Sequence, residues 1–105
     1  MIVMELDEQQ FSFEVIKSSV PVLVEFYATW CAPCKIMAPI LEEVAQETGK
    51  KARVVKMDIE RASALAAQYH VMSVPTLLLI ANGQVLRQWR GAKSKNELVN
   101  TIASL

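Results

Sequence analysis

Glu25-Phe26-Tyr27-Ala28-Thr29-Trp30-Cys31-Ala32-Pro33-Cys34-Lys35 is the stretch on which the reading of this sequence turns. Cys31 and Cys34 are its only two cysteines. They follow an apolar, strand-like segment and open a helical pattern. In that setting, two thiols separated by two residues read as a redox dithiol. The spacing suits the chemistry, because thiols one helical turn apart can close an intramolecular disulfide. A first cysteine at a helix N-terminus also gains thiolate stability from the dipole and the free N–H groups there. Two other readings stand beside this one, a zinc half-site and a structural bridge. Zinc takes about four ligands, and His70 is the only histidine. A bridge closing so small a loop stabilises little.

Working outward, Val20 to Phe26 is almost continuously apolar and rich in valine, as expected of a central strand covered on both faces. After the cysteines, Ile36, Met37, Ile40, Leu41, Val44 and Ala45 recur at helical spacing, with Gly49 as a stop and Pro39 predicting a kink. Upstream, Ile2 to Leu6 is a short strand, and Asp7 with Gln10 forms a capping box for a helix whose face is Phe11, Val15 and Ile16. Downstream come a strand over Ala52 to Ile59 and a short helix from about Ala62 to Tyr69. The strands Thr76–Ala81 and Gln84–Trp89 are then joined by Asn82-Gly83, a pair suited to a turn that needs positive φ twice. Ser94-Lys95-Asn96-Glu97 reads as a second capping box, with Leu98 and Ile102 facing the core. The order is β-α-β-α-β-α-β-β-α. Its βαβ parts require parallel pairing and its hairpin antiparallel pairing, giving an α/β domain over residues 1–105 with a mixed sheet and helices on both faces.

Composition narrows the function classes. With 11 Lys and Arg against 11 Asp and Glu, the formal net charge is zero and nothing suggests a nucleic-acid partner. No apolar run approaches the ~18 residues of a membrane span. The start, Met1 to Asp7, carries no basic residue and soon turns acidic, so no secretory leader is read and a cytoplasmic location is expected. There a disulfide is more often transient and catalytic than structural.

These features together closely resemble the thioredoxin family over almost the whole chain. Trp30-Cys31-Ala32-Pro33-Cys34-Lys35 looks like its active site, Pro39 its kink proline, Val74-Pro75-Thr76 its cis-proline loop, Asn82-Gly83 its hairpin turn and Gly91-Ala92 its last groove segment. The resemblance implies a thioredoxin fold, with a five-stranded mixed sheet flanked by four helices. It also implies a monomeric protein-disulfide reductase with no bound cofactor. Its partners would be disulfide-containing target proteins and a flavoprotein thioredoxin reductase drawing on a nicotinamide.

Cys31 is then the expected nucleophile, and the less buried of the pair, with Cys34 resolving the mixed disulfide. Glu25, a carboxylate within an apolar strand, is the candidate acceptor of the Cys34 proton; the alternative is a solvated residue at a sheet end. Lys56 either pairs with Glu25 and restrains its pKa or is a surface lysine. Lys35 either favours the thiolate or is simply solvated. Trp30, Ala32, Pro33, Ile59, Val74, Pro75, Gly91 and Ala92 are expected to line a shallow groove for extended target segments, in which the Val74 backbone offers β-pairing. Four residues depart from the common family pattern: Glu25 for aspartate, Ala32 for glycine, Ser73 for glycine and Arg90 for an aliphatic residue, which biases the rim toward acidic partners. Two rival functions remain open at this point, a disulfide oxidant or isomerase and a redox-independent binding module. Pro33 at the position where oxidants often place histidine speaks against the first.

Overall fold

The computed structural model describes residues 2–105; Met1, the first residue of the expected domain, lies outside the described residues. The elements follow in the expected order: β1 (Met4–Glu5), α1 (Glu8–Phe11), β2 (Val22–Tyr27), α2 (Ala32–Thr48), β3 (Arg53–Asp58), α3 (Ser63–Gln68), β4 (Thr76–Ala81), β5 (Gln84–Arg90) and α4 (Lys95–Ala103). Helix α1 continues as a π-helical turn over Ser12–Ile16, and α2 into a short 3-10 turn over Gly49–Lys51. Strand β1 is shorter than the Ile2–Leu6 run suggested.

The sheet order is β1-β3-β2-β4-β5. Strand β2 runs parallel to β3 and antiparallel to β4, so it occupies the middle of a mixed sheet. Its alternating side chains enter two cores. Leu23 points toward α2 and α4, where it meets Met37, Leu41, Val44, Leu98 and Ile102. Val22, Val24 and Phe26 point the other way, toward Phe11 and Val15 on one side and Ala62 and Ala66 on the other. This is the two-faced burial that the valine-rich run predicted.

Local signals explain where elements begin and end. Asp7 caps α1 through the Gln10 N–H at 3.2 Å, and the Gln10 side chain returns to the Asp7 N–H at 3.0 Å. Asn82 and Gly83 take φ of 53° and 77°, the double positive φ that the hairpin requires. The second capping box forms only in part. Ser94 Oγ accepts from the Glu97 N–H at 3.2 Å, but the Glu97 carboxylate accepts instead from the Trp89 indole N–H at 3.0 Å. That bond ties α4 to β5.

The buried stripe of α2 is Cys34, Met37, Leu41, Val44 and Ala45. Ile36, expected on that stripe, is 64% exposed, and Ile40 is only partly buried. Each lies one residue, about 100°, off the stripe centre.

Leu98 is fully buried in the α2–α4 core, whereas Leu86 is 40% exposed on β5. Leu98→Ala should lower stability by about 2–5 kcal/mol in urea unfolding of the disulfide form, and Leu86→Ala by no more than about 0.5 kcal/mol. Equal costs at the two positions would contradict this division of the core.

Candidate active site

Strand β2 leaves the sheet at Tyr27, and the chain turns through Ala28, Thr29 and Trp30 into α2. Cys31 is the N-cap of that helix, and its sulfur accepts the Cys34 backbone N–H at 3.2 Å. Cys34 opens the helix's buried stripe, so its side chain faces inward. The two sulfurs are joined in a disulfide, with the Cα atoms 5.3 Å apart. Ala32 and Pro33 are exposed on the outer side of this first turn.

The expectation that Cys31 is the less buried cysteine is not met: Cys31 is 4% exposed and Cys34 5%. The cause lies in the packing, because Ala28 and the disulfide form a small apolar cluster against which Tyr27, Ile59 and Val74 are set. Pro75 is buried and its peptide bond with Val74 is cis. The Gly91 N–H donates to the Pro75 carbonyl at 2.8 Å, drawing the Gly91 segment beside the proline loop. Ile59, Val74, Pro75 and Gly91 are therefore tied to the disulfide's surroundings by contact. Trp30 and Ala92 are exposed and joined to the site through their chain neighbours Cys31 and Gly91.

Behind the disulfide, toward α2, lies a cavity of about 430 Å³ whose lining includes Glu25, Tyr27, Cys34, Ala38, Leu41 and Lys56. Strand alternation explains the set: Leu23, Glu25 and Tyr27 share one face of β2, and Glu25 is the register partner of Lys56 on β3. Glu25 is only 2% exposed, which removes the reading of a solvated residue at a sheet end. Its Oε2 has no hydrogen-bond partner among the described residues. Burial pushes the carboxyl up from 4.5 to about 7, against an opposing pull from the Lys56 charge.

Of the two readings of Lys56, the direct ion pair with Glu25 does not form. Among the described residues the ion pairs are Arg53–Glu14 and Lys95–Glu47. The Lys56 ammonium lies over the Tyr27 ring, 5.3 Å from its centroid. Lys56 thus acts on Glu25 through the field and not through contact. Tyr27, absent from the sequence-predicted site, donates its hydroxyl to Glu5. Burial and that bond hold its phenol above the ordinary range. Period-two counting from Glu25 was the signal that would have found Tyr27. Lys35 and His70 are exposed, and among the described residues no group of three His, Cys, Asp or Glu side chains is placed to hold a metal ion.

The thioredoxin family model matches residues 2–104. The chain belongs to the thioredoxin family. It is 44% identical over 100 residues to a thioredoxin of Haemophilus influenzae, covering 95% of this chain and 94% of that one. It is 41% identical over 92 residues to thioredoxin 1 of Synechococcus elongatus, covering 88% and 86%. A Mycobacterium leprae protein, a bifunctional thioredoxin reductase/thioredoxin, is 38% identical over 104 residues, which span 99% of this chain and 23% of that protein. Family and cysteine pair together make this a protein-disulfide oxidoreductase with reductase function, whose redox-active centre is Cys31–Cys34. No helix of the described residues is long and apolar enough to cross a membrane.

The buried carboxyl has a consequence for stability. The folded chain holds the Glu25 proton up to about pH 7, whereas the unfolded chain releases it near 4.5. Between these values the folded state binds more protons. Stability from this group is therefore full below the lower pH and is lost as pH rises through the upper one, by on the order of 3 kcal/mol. Glu25→Gln cannot ionise, so its stability relative to the parent should rise between about pH 5 and about pH 8 in urea unfolding. A difference that stays flat would mean that Glu25 ionises as freely folded as unfolded.

Proposed function

We propose that Cys31 is the attacking thiol, that Cys34 resolves the mixed disulfide and that Glu25 takes the Cys34 proton. One observation carries the reading: Cys31 caps α2 with its sulfur on the Cys34 N–H, while Cys34 and the Glu25 carboxyl, whose Oε2 has no partner among the described residues, share one cavity behind it. In the reduced protein the Cys31 sulfur becomes the thiolate at that helix terminus, where dipole and N–H stabilise the charge. It attacks one sulfur of a target disulfide and expels the other as a thiolate. Glu25, near half-ionised at neutral pH, then accepts the Cys34 proton. Cys34 attacks the Cys31 sulfur, the target leaves with its second thiol, and the two electrons of the dithiol have reduced the target.

Substrate contact fits the apolar rim around the disulfide. Trp30 is 67% exposed, Ala32 and Pro33 face out, and Ile59 and Val74 flank the sulfurs. Extended target segments would lie between this rim and Pro75, Gly91 and Ala92, pairing with the Val74 backbone. Lys56 tunes Glu25 from across the register. Exposed Arg90, on β5, favours targets with acidic flanks. The electron donor would be a flavoprotein thioredoxin reductase, a reading supported by the relative whose name joins the two activities. The chain is read as a single domain that works as a monomer in the cytoplasm.

The steps separate experimentally. Cys31→Ser should abolish reduction of a disulfide-bonded protein substrate. Cys34→Ser should accumulate the mixed disulfide, visible on non-reducing gels. Glu25→Gln should slow release of that intermediate at least about tenfold in stopped-flow, with its formation changed less than about twofold. Equal slowing of both steps would remove Glu25 from proton transfer.

A further inference from the structure

The cavity behind the disulfide is larger than proton transfer requires. At about 430 Å³ it falls within the range of small-molecule sites, and Val3, Ala38, Pro39 and Leu41 give it apolar walls. Its polar lining can be accounted for group by group. The Glu42 carboxylate accepts the backbone N–H groups of Ile2 and Val3, at 2.7 Å and 3.3 Å. The Tyr27 hydroxyl is given to Glu5, and Thr29 and Lys35 are exposed to water at the rim. Two groups that are not exposed are left facing the space: the buried Glu25 Oε2, with no hydrogen-bond partner among the described residues, and the Lys56 ammonium, which rests on a ring and forms no ion pair among them.

An unused acceptor and an unused donor on adjacent strands call for a ligand offering one of each. Once Glu25 ionises, the opposite charges of Glu25 and Lys56 offset each other, so the lining favours neither a cation nor an anion. We infer that this cavity binds neutral molecules carrying a primary carboxamide on a flat apolar body. The amide N–H donates to Glu25 Oε2, its carbonyl accepts from Lys56 Nζ, and the ring lies against Leu41 and Val3. A bound amide would also occupy the carboxyl beside Cys34 and so slow resolution. That consequence rests on the proton-transfer reading, whereas the binding does not.

Benzamide titrated into the disulfide form, followed by methyl NMR, tests the binding without turnover. Saturable shifts at the Val3 and Leu41 methyls, with a midpoint at or below about 10 mM, are expected. N,N-Dimethylbenzamide, which has no amide donor, should bind about tenfold more weakly, the loss expected when one buried hydrogen bond is left unmade. Glu25→Leu should weaken benzamide by a similar factor. Ala38→Phe, at an exposed helix position, should narrow the cavity and remove the saturable shifts while leaving the remaining spectrum unchanged. Absence of saturation, shifts centred on Val74 and Ile59, or equal binding of both amides would overturn the assignment. If binding holds but benzamide leaves the release rate of the Cys34→Ser-calibrated intermediate unchanged, the site stands and the proton-transfer role of Glu25 fails.

Discussion

The burial of β2 on both faces is the constraint on which the rest of the structure depends. Val22, Val24 and Phe26 can leave water only if α1 and α3 cover one side, and Leu23 only if α2 and α4 cover the other. Once the strand is clamped between two cores, its C-terminal end at Tyr27 is a fixed point. The turn that follows delivers Cys31 to the N-cap of α2, and the stripe beginning at Cys34 anchors that helix to the sheet. The disulfide therefore sits where a rigid strand ends and a rigid helix starts, and neither sulfur depends on a mobile loop for its position.

The same burial sets the electrostatics. A carboxyl on the α2 face of β2 cannot avoid the interior, and desolvation outweighs the attraction of Lys56. Direct pairing would have lowered the Glu25 pKa and held the residue as a permanent anion. Instead the ammonium rests on Tyr27, and the carboxyl keeps an oxygen without a partner. Such a group weakens the fold at neutral pH, so its position beside Cys34 is the kind of compromise expected where chemistry and stability compete. The raised pKa and the shared cavity both support proton traffic at that place.

Much of the architecture was legible because its signals are local. Asp7 and Gln10 cap α1 through contacts within three residues, and Asn82-Gly83 adopts the hairpin conformation that its φ preferences favour. The apolar spacing after Cys34 announces a helix, and the burial of β2 on both faces follows from its unbroken apolar run. The misreadings came where a distant partner competed. Glu97 fits a capping box, yet Trp89 from β5 takes its carboxylate. Ile36 fits an apolar stripe, yet the face that meets the sheet begins at Cys34. Cys31 was expected nearer solvent, yet Ile59 and Val74, well downstream in the chain, pack around the sulfurs.

By itself, then, the sequence determined the element order, the helix and hairpin termini, the family and the redox pair. The family rests on the resemblance of motifs spread over almost the whole chain; the others rest on periodicity, capping or spacing over a few residues, where the chain's own geometry decides. Only the tertiary structure decided how deeply the cysteines are enclosed, that Lys56 stacks on Tyr27 without pairing with Glu25, and that a cavity opens between Glu25 and Cys34. Those outcomes depend on which side chains from separate strands and helices compete for the same space and the same charge. Close packing of elements settles that competition, and no window of sequence contains all of the competitors.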